Sequence, residues 1–273
     1  MEKLKVKILG NGNAAKKHAI AYESLPDMFE VVENQWHSNV IDICTPNYMH
    51  YTQALEAAQS GQYVIVEKPI AGSLAEVDDL MSLDFSHRIF PISQYRYMPV
   101  SIVDEYFTLV DIRQPRDDDY YKGWRGEQGK SFGGCMTMFG IHIFDLLAMN
   151  MHVKRVAYAQ TDNSKRGFDV EDSCVVVLEM EDGGNATIYI DTPETADPLF
   201  TINRKSVETS VSLFAKQLED IHKSIMLGTE APVTLQEARN AIEVLTAAYY
   251  AAETGEEVML PITDDHPFYR GWL

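Results

Sequence analysis

A short strand that runs straight into a glycine turn and then a helix constrains this chain more than any other feature. Lys3–Leu9 alternates charged and apolar residues, Gly10-Asn11-Gly12-Asn13-Ala14-Ala15 follows at once, and Ala14–Leu25 carries Ala15, Ala19, Tyr22 and Leu25 at roughly helical spacing. The turn fits G-x-G-x-x-G/A: Gly10 permits a tight bend, Gly12 lets a pyrophosphate approach the backbone, and Ala15 keeps the helix close to its strand. The pattern continues beyond it. Strand candidates Phe29–Val32, Val40–Cys44, Tyr63–Val66 and Ile89–Ile92 are interleaved with an Ala-rich helix over Tyr48–Ser60. A further helix, opened by the Ser73/Glu76 capping box, runs to about Leu83. Such a βαβ rhythm predicts a mostly parallel sheet covered by helices.

The second half changes character. A helix over Ile141–Met151 is followed by strands Val153–Gln160, Cys174–Met180 and Ala186–Asp191, with Asp182-Gly183-Gly184 turning the last pair into a hairpin. Two closing helices follow, Val211–Leu227 and Leu235–Ala252, the second opened by the capping box Thr234/Glu237 and stopped by Gly255. The expectation is α/β: a truncated Rossmann-type parallel sheet domain over 1–95, then an α+β domain over 96–273 with an open-faced, largely antiparallel sheet.

Charge narrows the class of partner. The chain has 273 residues and a formal net charge of −18, which speaks against nucleic acid or an anionic membrane as the main partner. Phosphate-bearing ligands stay open, because helix N-termini bind them without cationic side chains. No run of 18 apolar residues or secretion-type start is present, and Cys44, Cys135 and Cys174 are too widely spaced for a disulfide framework or a metal site, which points to a cytoplasmic location. Asp117-Asp118-Asp119 reads as a solvated acidic loop, Met136, Met138, Met149 and Met151 as core filling, and Cys135 as a buried small residue.

Two further strands end in polar turns, Cys44-Thr45-Pro46-Asn47 and Glu67-Lys68-Pro69. In a parallel sheet the carboxyl ends share one edge, so these turns converge with the glycine turn on one crevice. There Lys68 could act as an acid/base or orient a hydroxyl. The segments Val40–Asn47 with His50, Gly61–Pro69, Tyr120–Gly126, Gly133-Gly134, Gly140-Ile141-His142-Ile143-Phe144-Asp145 and His266–Trp272 closely resemble the glucose–fructose oxidoreductase/inositol dehydrogenase (Gfo/Idh/MocA) family.

The resemblance implies NAD or NADP as cofactor and a sugar-like hydroxyl or carbonyl as substrate. It also implies a homo-oligomer, dimer or tetramer, made through the open sheet. Lys68 would be the essential lysine and His142 the catalytic histidine, an imidazole near neutral pKa being suited to move the hydroxyl proton. Gly10, Gly12, Asn13, Ala15, Thr45, Pro46, Asn47, His50, Glu67, Lys68, Pro69, Gln94, Trp124 and Arg125 would border the cofactor. Lys68, Tyr95, Arg96, Tyr121, His142 and Asp145 would border the substrate, Asp145 lying three residues beyond His142 on the same helical side.

Two departures from the family pattern stand out. Met138 occupies a position, four before His142, where the family usually carries Asp or Asn, and a thioether neither transfers a proton nor binds a hydroxyl strongly. Phe29–Asn34 is also joined to Val40–Cys44 by little more than Gln35-Trp36-His37-Ser38, whereas a helical crossover needs at least about 10–12 residues. The second crossover helix and third strand therefore do not fit. Glu33 is the acidic residue at the distance of a ribose-binding carboxylate, in a strand being cut short, so NAD against NADP stays open. Lys5 and Lys7, alternating with Leu4, Val6 and Ile8, suggest a partly uncovered strand face. The same departures fit a non-catalytic relative that binds a nucleotide or sugar as a sensor or assembly subunit. A branch of the family hydrolyses glycosides through transient NAD-dependent oxidation, which leaves hydrolase activity as a further alternative.

Overall fold

The computed structural model describes residues 3–99 and 106–272. In chain order its elements are β1 Leu4–Leu9, α1 Asn13–Glu23, β2 Phe29–Val31, β3 Val40–Ile43, α2 His50–Gln59, β4 Tyr63–Val66, α3 Leu74–Ser82 and β5 Ile89–Pro91. Next come β6 Phe107–Arg113, α4 Asp118–Tyr121, α5 Gln128–Ser131, α6 Ile141–Asn150, β7 Val153–Asp162, β8 Ser173–Met180, β9 Asn185–Asp191, β10 Leu199–Ile202 and β11 Lys205–Ser206. The chain closes with α7 Val211–Leu227, α8 Leu235–Thr254 and β12 Val258–Met259. Two compact units result. One comprises Met1–Ala71, Glu76–Met98 and Thr209–Ala238; the other comprises Gly72–Ala75, Pro99–Glu208 and Arg239–Leu273.

The first unit holds a five-stranded sheet of order β2-β1-β3-β4-β5, parallel throughout. β3 and β4, in its middle, are buried nearly throughout, which fits their apolar sequences, interrupted only by Asp42 of β3. β1 is one-sided: Val6 is fully buried while Lys5 is exposed. The link from β2 to β3 crosses from one side of β1 to the other with one 3-10 turn, Gln35–His37, and no α-helix. Asn39 steadies the crossing, its side chain accepting from the Lys5 N–H at 3.0 Å while its own N–H donates to the Lys5 carbonyl at 2.8 Å. Two strand spacings are only about 10 Å, so a few extended residues suffice.

α7 arrives from far along the sequence to complete this unit, a return that one cut near residue 95 does not anticipate. Phe214, Leu218 and Ile221 pack with Tyr22 of α1 and with Val6, Val40, Ile65 and Phe90 of the sheet. Each such side chain stabilises the fold by about 1.5–3 kcal/mol when fully buried. Gln217, fully buried, accepts the Ser93 N–H at 3.0 Å and donates to the Pro91 carbonyl at 2.9 Å, fastening α7 to the end of β5.

The second unit is built on a seven-stranded sheet of order β11-β10-β6-β9-β8-β7-β12. Its pairs are antiparallel except β6 with β9, so the sheet is mixed. β6 alternates cleanly, Thr108, Val110 and Ile112 pointing inward, yet its neighbours β9 and β10 come late in the chain and no hairpin announces it. The β8–β9 hairpin forms as expected, with Asp182 Oδ1 accepting the Gly184 N–H at 2.9 Å. Cys174, Val176, Leu178, Ile188 and Ile190 line the buried face; Val175, Val177 and Tyr189 on the other face are only half-buried. One helical stretch, residues 128–150, is long and apolar enough to cross a bilayer, but 78% of its apolar window is buried inside the protein, the condition of a core helix.

Candidate functional site

In the first unit the carboxyl ends of β1, β3 and β4 lie side by side, because the three strands are parallel neighbours in register. Gly10, at φ +109°, turns directly against the end of β3: a Cβ there would lie 2.4 Å from the Cys44 carbonyl oxygen. Only glycine fits that approach. Gly12 then caps α1 with no side-chain hydrogen bond, and no acidic residue stands in the first turn. Gly10, Gly12 and Asn13 are exposed, while Ala15 is buried against the strand, as the motif requires.

His50 joins the other two turns. Its Nδ1 lies 2.7 Å from the Pro69 carbonyl oxygen and its Nε2 2.9 Å from that of Thr45. The ring is 1% exposed, and burial lowers its pKa although the two carbonyl bonds oppose the shift. His50 is therefore a clamp between turns; it is not on the helix surface. Thr45 donates its hydroxyl to Gln53 at 2.7 Å, Asn47 is buried, and Lys68 is half-buried.

Beneath the turns sits a buried polar cluster. His18 of α1 places Nδ1 2.7 Å from Asp42 of β3 and Nε2 3.1 Å from Glu67 at the end of β4. Tyr22 donates its hydroxyl to the same Asp42 oxygen at 2.8 Å. Burial is the largest single influence and works against a charged His18, but Asp42 and Cys44 together hold the imidazole pKa well above its ordinary value. Both ring nitrogens then donate, one to each carboxylate. Burial also pushes the Cys44 thiol up to about 12, so it stays protonated and faces Asp42. His18, Asp42 and Cys44 have metal-ligand chemistry within 4.8 Å of one another, yet both His18 nitrogens are already committed to carboxylates. The other Glu67 oxygen accepts the Lys68 N–H at 3.2 Å, which links the cluster to the lysine. His18 and Asp42 were not among the residues expected from sequence. A charged residue inside the apolar strand Val40–Ile43, and a histidine on the buried side of α1, were the available signals.

Gln94, just beyond β5, is 7% exposed, and its Oε1 is buried without a hydrogen-bond partner. Such an orphaned acceptor, with the uncapped α1 N-terminus, fits a ligand carrying both an amide donor and phosphate groups. Arg96 pairs with Glu237 at 2.7 Å, and Glu237 also closes the expected capping box with Thr234. Tyr95 beside it is half-buried. Glu33 carries a fully exposed side chain 4.0 Å from Lys7.

The second unit presents His142 and Asp145 on α6, 5% and 3% exposed. A π-helical turn, Met136–Gly140, leads into α6 and carries the half-buried Met138. Such bulges are frequent at functional positions. Gly133 and Gly134 seat this stretch. Glu171 accepts the N–H groups of Gly134 and Met136 at 2.8 and 2.9 Å, and the Tyr249 hydroxyl at 2.9 Å. A Cβ on Gly134 would lie 1.8 Å from the Glu171 carbonyl oxygen. Neither Glu171 nor Tyr249 is marked by a local pattern; distant chain folding makes them anchors. Tyr121 proves to be buried, bonded to the Thr192 hydroxyl at 2.5 Å and stacked on Phe168. Trp124 and Arg125 are half-buried, the guanidinium 4.6 Å from the indole centroid.

A parallel dinucleotide-type sheet with a glycine turn, and a separate mixed sheet carrying a Gly-x-His-x-x-Asp helix, define a two-part oxidoreductase class. The chain belongs to the Gfo/Idh/MocA family: residues 5–87 match the model described as "Oxidoreductase family, NAD-binding Rossmann fold", and residues 107–203 match the "GFO/IDH/MocA C-terminal domain". A levoglucosan dehydrogenase of Pseudarthrobacter phenanthrenivorans is 28% identical over a match covering 54% of this chain and 50% of that protein. The chain thus spans about half the length of the curated relative it matches. Among solved structures, the WlbA dehydrogenase of Bordetella pertussis in complex with NADH and UDP-GlcNAcA has a TM-score of 0.83 at 22% identity, covering 96% of this chain and 100% of that one. GenD2 from gentamicin A biosynthesis, in complex with NAD, has 0.80 at 18%, covering 96% and 97%. These structural likenesses establish the fold.

Proposed function

We propose that this chain is a nicotinamide-dependent oxidoreductase acting on a hydroxyl or carbonyl of a sugar, cyclitol or nucleotide sugar. The observation that carries the reading is the strand-end edge of the first unit. There Gly10 is fitted against Cys44, α1 begins uncapped, and Gln94 Oε1 is a buried acceptor in want of a donor. The α1 N–H groups would bind a pyrophosphate, and Gln94 would accept from a carboxamide. A bound nicotinamide supplies hydride donor and acceptor chemistry. Lys68 would orient and polarise the reacting oxygen and His142 would exchange its proton, with Asp145 as orienting partner; these roles rest on the family resemblance. Calorimetric titration with NADH and NADPH tests the reading directly. Binding of at least one in the micromolar range is expected, and no binding of either at millimolar concentration would remove the enzyme reading.

Met138 favours a second reading, a relative that binds its ligands without turning them over. Dinucleotide binding without turnover of any sugar or nucleotide sugar would select it.

The homo-oligomer implied by the resemblance would use the outer face of the second sheet. Val175 and Val177 of β8 stand opposite Tyr189 and Thr187 of β9, and Tyr158 of β7 is 49% exposed. A Val177→Glu substitution puts a charge in the middle of that face and is expected to convert the assembly to monomer in light scattering after size exclusion. An unchanged mass would rule this face out as the contact.

A further inference from the structure

Carboxylates outnumber cations in this chain by 41 to 23, yet several arginines have no acidic partner among the described residues. Two occur together in the second unit. Arg116 places its guanidinium carbon 4.7 Å from the Tyr120 ring centroid and 5.2 Å from that of Phe139. Arg125 lies 5.0 Å from the same Tyr120 ring and 4.6 Å from Trp124. Among the described residues neither forms an ion pair, and Arg116 Nε is buried with no acceptor. The two charges share one tyrosine ring and so lie within about 10 Å, near the Debye length at 0.1 M salt. Phe139 stands three residues before His142.

Three aspartates stand next to Arg116 in sequence, and each is engaged elsewhere. Asp117 caps α4 by accepting the Tyr120 N–H at 2.9 Å, Asp118 pairs with Arg166 at 3.4 Å, and Asp119 pairs with Lys122. Arg166 is itself held by Asp118 and Asp172, and it donates to the Arg116 carbonyl at 2.6 Å, fixing the backbone from which Arg116 projects. The aromatic rings hold Arg116 and Arg125 in place without neutralising them. Arg116 spends one N–H on the Pro115 carbonyl at 2.7 Å, and its Nε stays a buried donor within about 10 Å of a second guanidinium, a combination suited to a carboxylate or phosphate group.

We propose that Arg116 and Arg125 form an oxyanion-binding pair, so that the substrate carries a carboxylate or a phosphate in addition to its reacting sugar hydroxyl. The inference rests on the oxidoreductase reading for the word substrate, but anion binding itself needs no turnover. Calorimetric titration of the full chain with glucuronate, glucose 1-phosphate and uncharged glucose therefore separates the two, while NADH titration tests the oxidoreductase reading independently. One or both anions should bind about tenfold or more tightly than glucose, with the advantage shrinking as salt rises. Whichever anion leads identifies the source, sugar acid or sugar phosphate. In Arg116→Ala and Arg125→Ala that advantage should fall about tenfold or more, with Arg116→Lys restoring part of it and confirming that the fold survives. The inference is overturned if no anion binds at millimolar concentration, if glucose binds equally well, or if both alanine variants keep the preference. A loss of NADH affinity in Arg116→Ala that parallels the loss of anion affinity would also overturn it, by assigning the pair to the dinucleotide's pyrophosphate.

Discussion

Replacing Lys68 with alanine is expected to lower kcat by roughly 10³-fold while changing NADH affinity by no more than about threefold. The proton-transfer and polarising work proposed for this side chain is worth about 4 kcal/mol on that scale. Lys68 follows β4 at the edge where the glycine turn lies, half-buried, with its N–H fixed on Glu67. The backbone hydrogen bond survives the substitution, so the turn should keep its shape and only the ammonium group is lost. Steady-state kinetics with the preferred sugar, together with NADH calorimetry on the same sample, separates the possibilities. A variant that retains a tenth or more of wild-type kcat would refute the role. Equal loss of cofactor affinity would instead make Lys68 a binding residue.

The second large effect is expected at His18. Removing the ring leaves Asp42 and Glu67 facing each other in a buried space without the cation that both contact. Breaking a buried pair in this way costs about 3–5 kcal/mol, so His18→Ala should lower Tm by roughly 10 °C or more. The sign of its pH dependence follows from the direction of the shift. The folded-state pKa of His18 lies above the unfolded value of 6.5, because burial, the largest single influence, is offset by Asp42 and Cys44 together. Its contribution is therefore fully present below about pH 6.5 and is lost as pH rises through the folded value. The Tm gap between wild type and His18→Ala should be widest near about pH 6 and should narrow in alkaline buffer. A gap of the same size at both pH values would mean that the ring acts by packing alone. Phe214, whose ring centroid lies 4.9 Å from that of His18, is the packing partner that would then account for it.

The residues most legible in the sequence were those whose constraint is local. The position of Gly10 could be read because a strand–turn–helix junction is written in consecutive residues, and the structure adds the Cys44 carbonyl that excludes any Cβ. Thr234 and Glu237 could be read because a capping box is a four-residue device. The β2–β3 shortfall could be counted, since no α-helical crossover fits into the residues between Val31 and Val40. Residues whose partners lie far along the chain escaped. Arg96 is expected near the substrate at a strand end, and its partner Glu237, 141 residues later, is visible only in the fold. Tyr121 is expected at the substrate by resemblance alone, and its partners Thr192 and Phe168 come only from the fold.

The amino-acid sequence by itself determined the strands and helices up to Ile92, the parallel character of the first sheet, the missing crossover helix and the set of turns at the strand ends. Hydrophobic periodicity, glycine and proline placement and loop length act over a few residues, so they can be read without knowing what packs on what. Tertiary structure alone decided that α7 returns to cover the first sheet, that β6 pairs in parallel with β9, and that His18 becomes a cation held between Asp42 and Glu67. It alone left Arg116 and Arg125 over one tyrosine without a carboxylate. Burial and the pairing of charges depend on neighbours brought in from distant positions. A residue's chemistry was therefore visible in its letter, and its charge state and partner only in the fold.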